Sequence, residues 1–468
     1  MRRLPVIAVF DIGKTNKKLL LFDDHYNLVD ESSVKFPEIA DENDFPCDNL
    51  DQIRQMVFHW LRGLVRHNEW ELKAVNFSTY GASLVYIDKD GIPLTPLYNY
   101  LKPFPAYLRK KFYDQYGDES SFSLATASPV LGSLNAGLQL YRLKHEQPAL
   151  LASTMYALHL PQYFSYLLTH QAFSEVTSIG CHTGMWDFTG NTYHRWLRDE
   201  SLMEKLAPIA PSSHTILSSF AGEFFEVGIG LHDSSAALIP YLVSFREPFA
   251  LVSTGTWCIT LNPYNTAPLT DDELKSDCLS YISYQGTPVK ASRLFSGNEH
   301  DVQVKRIAAH FMQDPEKYRS LIYDHRVMHA LREKADLLRP VSYHEGVLKE
   351  SLFKNRELDN FDSDEEAYYQ LVQDLVQIQV VATKLVTDGT PVRRIFVDGG
   401  FSKNQVYMNM LSNAMPDMEL YAASMPQATA LGAALAIHSS WNTHPLPNDM
   451  IELKYFAPSD NPIDQFHT

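Results

Sequence analysis

The sequence predicts an α/β protein made of two similar halves with a cleft between them. Its 468 residues exceed what one hydrophobic core usually holds. The segment 5–23 contains two short apolar β-type runs around a polar turn with a central glycine, and the segment 249–261 repeats this layout. Two similar halves suggest duplication, and a cleft between lobes is where ligands usually bind.

The first half reads as a hairpin followed by helices and further strands. The hairpin strands are predicted at 5–10 and 19–23. A helix is predicted at 48–67, because its apolar residues recur at helical spacing. More strands are expected at 73–78 and 83–91, and the mainly helical region 100–170 looks like an inserted lobe.

The second half begins with the repeated hairpin and continues with long helices. The segment 361–389 predicts an amphipathic helix, with Ser363 and Glu366 forming a capping box and Gly389 as its stop. A strand at 393–400 ends in Gly-Gly and precedes a helix from about Lys403. The segment 428–438 predicts a helix of small residues, which allow close approach of a backbone or a ligand.

Composition and charge exclude several classes of function. The formal net charge of -16 argues against general binding of nucleic acids or anionic membranes, which requires a basic surface. The four cysteines are scattered, so neither a disulfide framework nor a zinc site is indicated. No apolar run approaches the roughly 20 residues of a membrane helix, and no signal-peptide pattern is complete, so we expect a cytoplasmic protein.

The first turn, Gly13-Lys14-Thr15, resembles the end of a Walker A loop but fails its pattern. Ala8 stands where that motif has its first glycine, and a strand follows the turn where the motif needs a helix. Gly13 can still arrange backbone N–H groups as an anion nest, and Asp11 is expected to hold magnesium through water. The alternative is an ordinary hairpin with solvated lysines. The matching turn at Thr254-Gly255-Thr256 favours a triphosphate gripped from both sides.

Three motifs in order, Asp11-Gly13-Thr15, Thr254-Gly255-Thr256 and 397-VDGGFSKN-404, resemble those of the FGGY carbohydrate kinases. The resemblance continues to 428-ATALGAAL-435 and covers nearly the whole chain. It implies two RNase-H-like domains of the actin-like ATPase superfold around a central cleft, divided here as 1–243 and 244–468. It further implies sugar bound deep in that cleft and ATP held mainly by the second domain.

The resemblance also implies a catalytic base, for which 230-GLHDSSAALIPYL-242 nominates Asp233. A sugar hydroxyl must lose its proton as it attacks the γ-phosphorus, and a positioned carboxylate accepts that proton. The alternative is that Asp233 only caps a helix that begins near Ser234. The two roles are compatible.

Candidate sugar contacts come from the same resemblance, which is nearest to rhamnulokinases and fuculokinases. His232 and Trp257 match polar and aromatic sugar contacts, while the first domain offers Tyr80, Gly81, Ala82 and, more weakly, Asn99. His182 and Thr183 are further, less favoured candidates. A histidine in such a place is more often structural, so His232 rests chiefly on the match.

The nucleotide-binding residues implied by the resemblance lie in both halves. They are Asp11, Gly13, Lys14, Thr15, Asn16, Lys17, Thr254, Gly255, Thr256, Gly297, Asn298, Gly399, Gly400, Ser402 and Asn404, with Asp11 also as the metal ligand. Lys14, Asn16 and Gln427 depart from the residues usual in the family. Lys14 is predicted either to strengthen phosphate binding or to point away.

The sequence therefore predicts phosphorylation of a hydroxyl of a small ketose, of the L-rhamnulose, L-fuculose or xylulose type, from ATP and Mg²⁺. One alternative is a glycerol or polyol kinase of the same family. Another is a non-catalytic actin-like protein that binds ATP or sugar without phosphoryl transfer. The partners are small molecules, with neither nucleic acid nor membrane, and a homodimer is compatible with the sequence.

Overall fold

The computed structural model describes residues 3–334, 351–425, 427–447 and 449–459. Strands and helices alternate along the chain, as the sequence predicts. Within the described ranges, no helix combines the length and the apolar character needed to cross a membrane.

The described strands are β1 Leu4–Ile12, β2 Lys17–Asp23, β3 Leu28–Val34, β4 Ile39–Ala40, β5 Pro46–Cys47, β6 Trp70–Thr79, β7 Leu84–Ile87, β8 Tyr156–His159, β9 Ser174–Glu175, β10 Trp186–Asp187, β11 Thr192–Tyr193, β12 Ile209–Ala210, β13 Thr215–Phe220, β14 Glu223–Gly228, β15 Leu231–His232, β16 Phe249–Thr254, β17 Cys258–Asn262, β18 Cys278–Ile282, β19 Pro288–Leu294, β20 Arg394–Gly399, β21 Glu419–Ser424 and β22 Glu452–Phe456.

The described α-helices are α1 Leu50–Arg66, α2 Ala106–Tyr116, α3 Glu119–Thr126, α4 Ala136–Glu146, α5 Pro148–Ser153, α6 Leu160–Thr169, α7 Val176–Ile179, α8 Trp196–Asp199, α9 Asp233–Ser244, α10 Asp271–Lys275, α11 Ser296–His310, α12 His325–Glu333, α13 Asp364–Thr387, α14 Gln405–Ala414, α15 Ala428–Ala436 and α16 His438–Trp441.

The chain forms two compact units. The first unit contains residues 1–246 together with the later segments 280–288 and 427–450, and the second unit contains the rest. The main change of unit, between Arg246 and Glu247, lies close to the predicted division at 243/244. The sequence does not predict that segments 280–288 and 427–450 belong to the first unit, because no local pattern indicates with which half a segment packs.

The sheet of the first unit has seven strands, ordered β13-β14-β6-β1-β2-β3, with β15 also paired to β6. Strands β1, β2 and β3 form an antiparallel meander, and β1 pairs in parallel with β6. Parallel pairing brings the ends of β1 and β15 to the same edge of the sheet as the end of β6. Asp11 and His232 therefore both lie where these strands terminate.

The second unit repeats this pattern in a sheet that contains the neighbouring strands β19-β17-β16-β20-β21-β22. Its hairpin strands β16 and β17 are antiparallel, and β16 pairs in parallel with β20, which pairs in parallel with β21. The repetition supports the predicted duplication. In the second unit, helix α13 packs into the core with Leu371, Leu375 and Ile378 buried.

Helix α15 packs directly on α9 within the first unit. A Cβ atom at Gly432 would lie only 1.8 Å from the carbonyl oxygen of Ala236, so this contact requires glycine. Asn76 of β6 donates to the Ala433 carbonyl oxygen at 2.7 Å and accepts from the Gly230 N–H at 3.1 Å. The small residues of 428–436 thus let the backbones of α15 and α9 come close together. This contact fixes the position of α9, the helix that carries Asp233.

Two predicted helix starts differ in detail from the structure. Helix α9 begins at Asp233, and the N-cap position belongs to His232, whose side chain makes no capping bond. Ser363 accepts from the Glu366 N–H at 3.2 Å, which is one half of the predicted capping box. The Glu366 carboxylate accepts instead from the Asp362 N–H at 2.9 Å, so the second half of the box is absent.

Candidate active site

The first hairpin places Asp11 beside the turn between β1 and β2. Its partner across the strands is Lys18. The turn closes through a 2.9 Å hydrogen bond from the Gly13 N–H to the Asn16 carbonyl oxygen. A Cβ atom at position 13 would lie 3.1 Å from that oxygen, so close approach favours glycine here. Thr15 and Asn16 are exposed at the tip.

Lys14 and Lys17 form ion pairs with carboxylates, and their assignment as phosphate ligands stays a prediction. The Lys14 ammonium lies 2.7 Å from Glu38 Oε1 and 2.8 Å from Asp48 Oδ2. The Lys17 side chain is 1% exposed and lies 2.8 Å from Asp48 Oδ1. Burial opposes ionisation of Asp48, but its hydrogen bonds from the two lysines hold its pKa below the usual value. Both cations are therefore already paired.

Asp233 is the first residue of α9, and its carboxylate is held locally. Its Oδ1 accepts from the Ser234 N–H at 2.6 Å and lies 3.2 Å from His232 Nε2. Burial raises the pKa of Asp233 to about 6. Its side chain nevertheless keeps 32% exposure, so the carboxylate is reachable from solvent. A carboxylate with a pKa near neutrality suits proton abstraction.

The Asp11 carboxyl is also unusually basic. Burial raises the pKa of Asp11 to about 7, and the Asp233 carboxylate adds to this rise. Lys18 works in the opposite direction. Asp11 thus lies close enough to the Asp233 carboxylate to feel its charge, and carboxylate oxygens are ligands that fit a hard divalent cation. Asp11 would hold the magnesium, and the ion would neutralise phosphate charge when bound.

His232 is buried and neutral in this site. Burial lowers the pKa of His232 to about 3. Its backbone N–H donates to Thr177 Oγ1 at 3.0 Å, and that hydroxyl donates to the buried Glu175 at 2.6 Å. The ring stacks on Tyr281 with centroids 5.6 Å apart. The geometry therefore fixes the imidazole beside Asp233 without charging it.

Tyr80, Gly81 and Ala82 lie directly after β6, as predicted. A Cβ atom at Gly81 would lie 2.8 Å from Cys181 Sγ and 2.9 Å from His232 Cδ2, so glycine lets these groups approach. The Tyr80 hydroxyl donates to Asp48 Oδ2 at 2.8 Å. Ala82 adopts a left-handed backbone with φ of 63°. Tyr80, Gly81 and His232 border one narrow gap, which in this structure is too small to hold a water molecule.

Asn99 is not brought to that gap. Its amide nitrogen donates to the Pro46 carbonyl oxygen at 2.9 Å, and its amide oxygen accepts from the Leu101 N–H at 2.9 Å. Asn99 therefore organises a loop, and its assignment as a sugar contact stays a prediction. His182 does approach the site, with its ring centroid 6.2 Å from those of His232 and Tyr281. The Thr183 hydroxyl donates to the Ile179 carbonyl oxygen.

In the second unit, Thr254 joins the hairpin to the end of β20. Its hydroxyl donates to the Asp398 carbonyl oxygen at 2.6 Å and accepts from the Phe401 N–H at 3.0 Å. Its carbonyl oxygen accepts from the Gly400 N–H at 3.0 Å. Gly399 has a φ of 93°, and a Cβ atom there would lie 1.9 Å from the Thr254 carbonyl oxygen. Only glycine fits this junction.

A cavity of about 520 Å³ opens beside this junction in the second unit. Gly297 at the start of α11 borders it, and a Cβ atom there would lie 1.8 Å from the Gly255 carbonyl oxygen. The cavity combines glycine backbone, aromatic rings and charged side chains, a lining that suits a nucleoside phosphate. Its lining residues are Thr254, Gly255, Thr256, Gly297, His300, Asp301, Arg319, Tyr368, Gly400, Phe401, Lys403 and Asn404.

Three other residues assigned from the sequence do not line this cavity. The Ser402 hydroxyl donates to the Gly399 carbonyl oxygen at 2.9 Å, and the Asn298 N–H donates to the Thr256 carbonyl oxygen at 3.1 Å. These hydrogen bonds support the cavity wall, and the predicted contacts of both residues with the nucleotide stay predictions. Trp257 is 44% exposed and packs on Phe295, with ring centroids 4.6 Å apart. Its predicted sugar contact stays a prediction.

Several candidate site residues were missed in the sequence. Tyr281 belongs to the segment 280–288 that returns to the first unit, and no motif marks it. Tyr368 sits in α13 as one of many buried apolar positions, yet its hydroxyl accepts from Asn404 Nδ2 at 2.7 Å and lies 3.2 Å from His300 Nε2. Asp48 precedes α1 without any recognisable pattern. Only the structure brings these side chains to the sites.

Two family models match the chain in succession. The N-terminal domain of the FGGY family of carbohydrate kinases matches residues 6–238, and the FGGY carbohydrate kinase C-terminal domain matches residues 246–445. The chain belongs to the FGGY family of carbohydrate kinases. This confirms the resemblance read from the hairpin motifs.

Curated relatives of this FGGY chain are similar at low identity. A rhamnulokinase of Oceanobacillus iheyensis is 22% identical over 236 residues, which cover 47% of the chain and 48% of the relative. A rhamnulokinase of Bacillus subtilis is 22% identical over 291 residues, which cover 58% of the chain and 57% of the relative. The matched region thus spans about half the length of these relatives.

Solved structures of sugar kinases share the fold over almost the whole chain. A carbohydrate kinase from Novosphingobium aromaticivorans matches with a TM-score of 0.78 and 22% identity, covering 98% of this chain and 97% of that one. A xylulose kinase from Lactobacillus acidophilus matches with a TM-score of 0.79 and 15% identity, covering 98% and 95%. These likenesses confirm the predicted two-domain α/β fold.

Proposed function

We propose that this FGGY protein transfers the γ-phosphoryl group of ATP to a hydroxyl of a small ketose. The observation that carries the proposal is the Asp233 carboxylate, raised in pKa to about 6 and partly exposed at the start of α9. In the proposed reaction, Asp233 accepts the proton of the sugar hydroxyl. The oxygen of that hydroxyl attacks the γ-phosphorus of ATP, and ADP leaves. No covalent enzyme intermediate is needed.

His232 and Tyr80 serve the sugar in this proposal. The neutral imidazole of His232 lies 3.2 Å from Asp233 and is fixed by Thr177 and Tyr281, so it can orient the carboxylate and meet a hydroxyl. His182, His232 and Tyr281 form a buried aromatic cluster beside Asp233, and aromatic rings suit the C–H side of a sugar. These features favour a neutral polyhydroxy compound.

The nucleotide is assigned to the cavity of the second unit. Its glycine-lined wall lets a ligand approach the backbone closely, and Arg319 and Lys403 bring positive charge to a protein that is acidic overall. Asp11 is the proposed magnesium ligand. The assignment of these roles to single residues rests on the geometry of each unit and on the family motifs.

The preferred acceptors are ketoses of the L-rhamnulose, L-fuculose or xylulose type. The two curated rhamnulokinases support this class, although they match only about half of their own length. A glycerol or other polyol kinase is the second candidate, since a glycerol kinase of Plasmodium falciparum shares the fold with a TM-score of 0.73. A non-catalytic binder has no use for a basic carboxylate such as Asp233.

Coupled ADP release across a sugar panel tests the proposal. The panel contains L-rhamnulose, L-fuculose, xylulose, glycerol and gluconate, each with Mg-ATP. We expect one ketose to raise ADP release well above the sugar-free rate. The matched control for Asp233→Asn is Asp114→Asn, because Asp114 is 63% exposed and paired with Lys110 on the surface. The proposal fails if no acceptor raises turnover, or if Asp233→Asn retains the full rate.

A further inference from the structure

A buried carboxylate links the first hairpin to the residue that follows β6. Asp48 lies two residues before α1 and is 4% exposed. It accepts from Lys14 Nζ at 2.8 Å, from Lys17 Nζ at 2.8 Å and from the Tyr80 hydroxyl at 2.8 Å. Its two oxygens thus accept hydrogen bonds from the two lysines of the turn after Asp11 and from Tyr80, a proposed sugar-binding residue.

Lys17 ties the turn to itself as well as to Asp48. Its ammonium donates to the Lys14 carbonyl oxygen at 2.9 Å, across the tip of the hairpin. A buried cation that donates to both a carboxylate and a backbone oxygen fixes the turn in one conformation, because leaving either group unpaired is costly. The turn is therefore organised by the protein before any phosphate is bound.

The charges of both lysines are already paired within the protein. Lys14 and Lys17 face Asp48 and Glu38, so two cations are balanced by two carboxylates. Phosphate at this turn would then meet backbone N–H groups, whose direction depends on the turn conformation. Small errors in such a direction reduce rates strongly, since phosphoryl transfer relies on positioning.

We propose that Asp48 is a positioning residue, which holds the phosphate-binding turn at Gly13–Lys17 and the proposed sugar-binding residue Tyr80 in one fixed arrangement. The inference rests on the proposed function for its kinetic consequence, but not for its structural one. Asp48 touches neither reacting group. It acts through Lys17 on the nucleotide side and through Tyr80 on the sugar side.

The first measurement is hydrogen exchange of the hairpin amides in the ligand-free protein. We compare wild type with Asp48→Asn, Lys17→Met and Tyr80→Phe. The Tyr80→Phe variant removes one hydroxyl and leaves both lysines paired, so it tests the link even if the other variants fold poorly. The matched control is Lys73→Met, which removes an ammonium from the half-exposed ion pair with Glu71 on the same sheet.

We expect exchange in the turn to quicken by about tenfold in Asp48→Asn and Lys17→Met, and less in Tyr80→Phe. Lys73→Met should exchange like wild type. Unchanged exchange of the turn in all three network variants overturns the inference. Hydrogen exchange does not depend on catalysis. It therefore tests the hydrogen-bond network of Asp48 even if no sugar is phosphorylated and the proposed function fails.

The second measurement is a kinetic double-mutant cycle with the phosphorylated sugar. Lys17→Met and Tyr80→Phe should each lower kcat by about tenfold. The double variant should lose little more, because both changes break the same arrangement. Lys17→Met should also raise KM for ATP, and Tyr80→Phe should raise KM for the sugar. Fully additive losses, or an unchanged kcat with wild-type Michaelis constants, contradict a positioning role.

Discussion

At the scale of single residues, Asp233 combines catalysis with an energetic cost. Its pKa is raised to about 6 because burial penalises the charged form. The folded protein therefore binds this proton more tightly than the unfolded chain does. Above pH 6 the charged carboxylate destabilises the fold, and this cost disappears as the pH falls toward the unfolded value near 4. The charged Asp233 carboxylate therefore lowers the free energy of unfolding above pH 6.

The variant Asp233→Asn should accordingly lose activity and gain stability at pH 8. We expect kcat to fall by at least about a thousandfold, and the free energy of unfolding to rise by roughly 1–2 kcal/mol after allowance for solvent at a partly exposed side chain. Denaturant unfolding at pH 8 and pH 4 measures the second effect. The stabilisation should shrink at the lower pH, and a pH-independent difference contradicts this explanation.

Activity should fall as the solution becomes acidic. Asp233 must be ionised to accept a proton, so kcat/KM should decrease below about pH 6. His232 cannot account for this decrease, because burial lowers its pKa to about 3 and keeps it neutral. A pH–rate profile from 5 to 9 measures this. A profile flat down to pH 5 rejects Asp233 as the base.

At the scale of elements, the contact between α9 and α15 fixes where Asp233 lies. A Cβ atom at Gly432 would come within 1.8 Å of the Ala236 carbonyl oxygen. Gly432→Ala should therefore push the helices apart, lower the free energy of unfolding by about 1–3 kcal/mol, and reduce kcat with α9 displaced. Gly63→Ala in α1 is the control, since a Cβ atom there meets nothing within 4 Å. Equal stability of the two variants contradicts the prediction.

The junction of β16 and β20 should control nucleotide binding in a similar way. Gly399 has a φ of 93°, and a Cβ atom at this position would lie 1.9 Å from the Thr254 carbonyl oxygen. We expect Gly399→Ala to raise KM for ATP by at least about tenfold while KM for the sugar changes little, because the strain is confined to the second unit. Initial rates with each substrate varied in turn separate these constants, and an equal rise in both contradicts the assignment.

At the scale of the whole molecule, ligand binding should appear as stability. ADP at about one hundred times its dissociation constant should stabilise the protein by about 2.7 kcal/mol. The Gly399→Ala variant should lose most of this gain, whereas Asp233→Asn should keep it, because Asp233 belongs to the other unit. Thermal melts with and without ADP measure the difference. Loss of the gain in Asp233→Asn alone would contradict placement of the nucleotide in the second unit.

Much of this organisation could be predicted from sequence, because hairpins and amphipathic helices are local patterns. Both Gly-turn hairpins, the helix after Ser363 and the position of Asp233 at a helix start follow from neighbouring residues. Pairings across the chain could not be predicted in this way. Lys17 and Asp48 are 31 positions apart in the sequence but form an ion pair. No local sequence pattern predicts that this lysine of the turn is paired with a carboxylate. The hydrogen bonds of the Asn99 amide to the Pro46 and Leu101 backbone could not be predicted either, because they depend on the loop conformation.

The discontinuity of the first unit also constrains how the protein can be made. Residues 427–450 belong to that unit but follow most of the second unit in the chain. During synthesis, α9 must therefore wait for Gly432 to leave the ribosome before its packing surface is covered. The N-terminal part cannot complete its fold first, as domains of a linear array do. Newly made chains should thus expose the apolar flank of α9 to chaperones until translation is nearly finished.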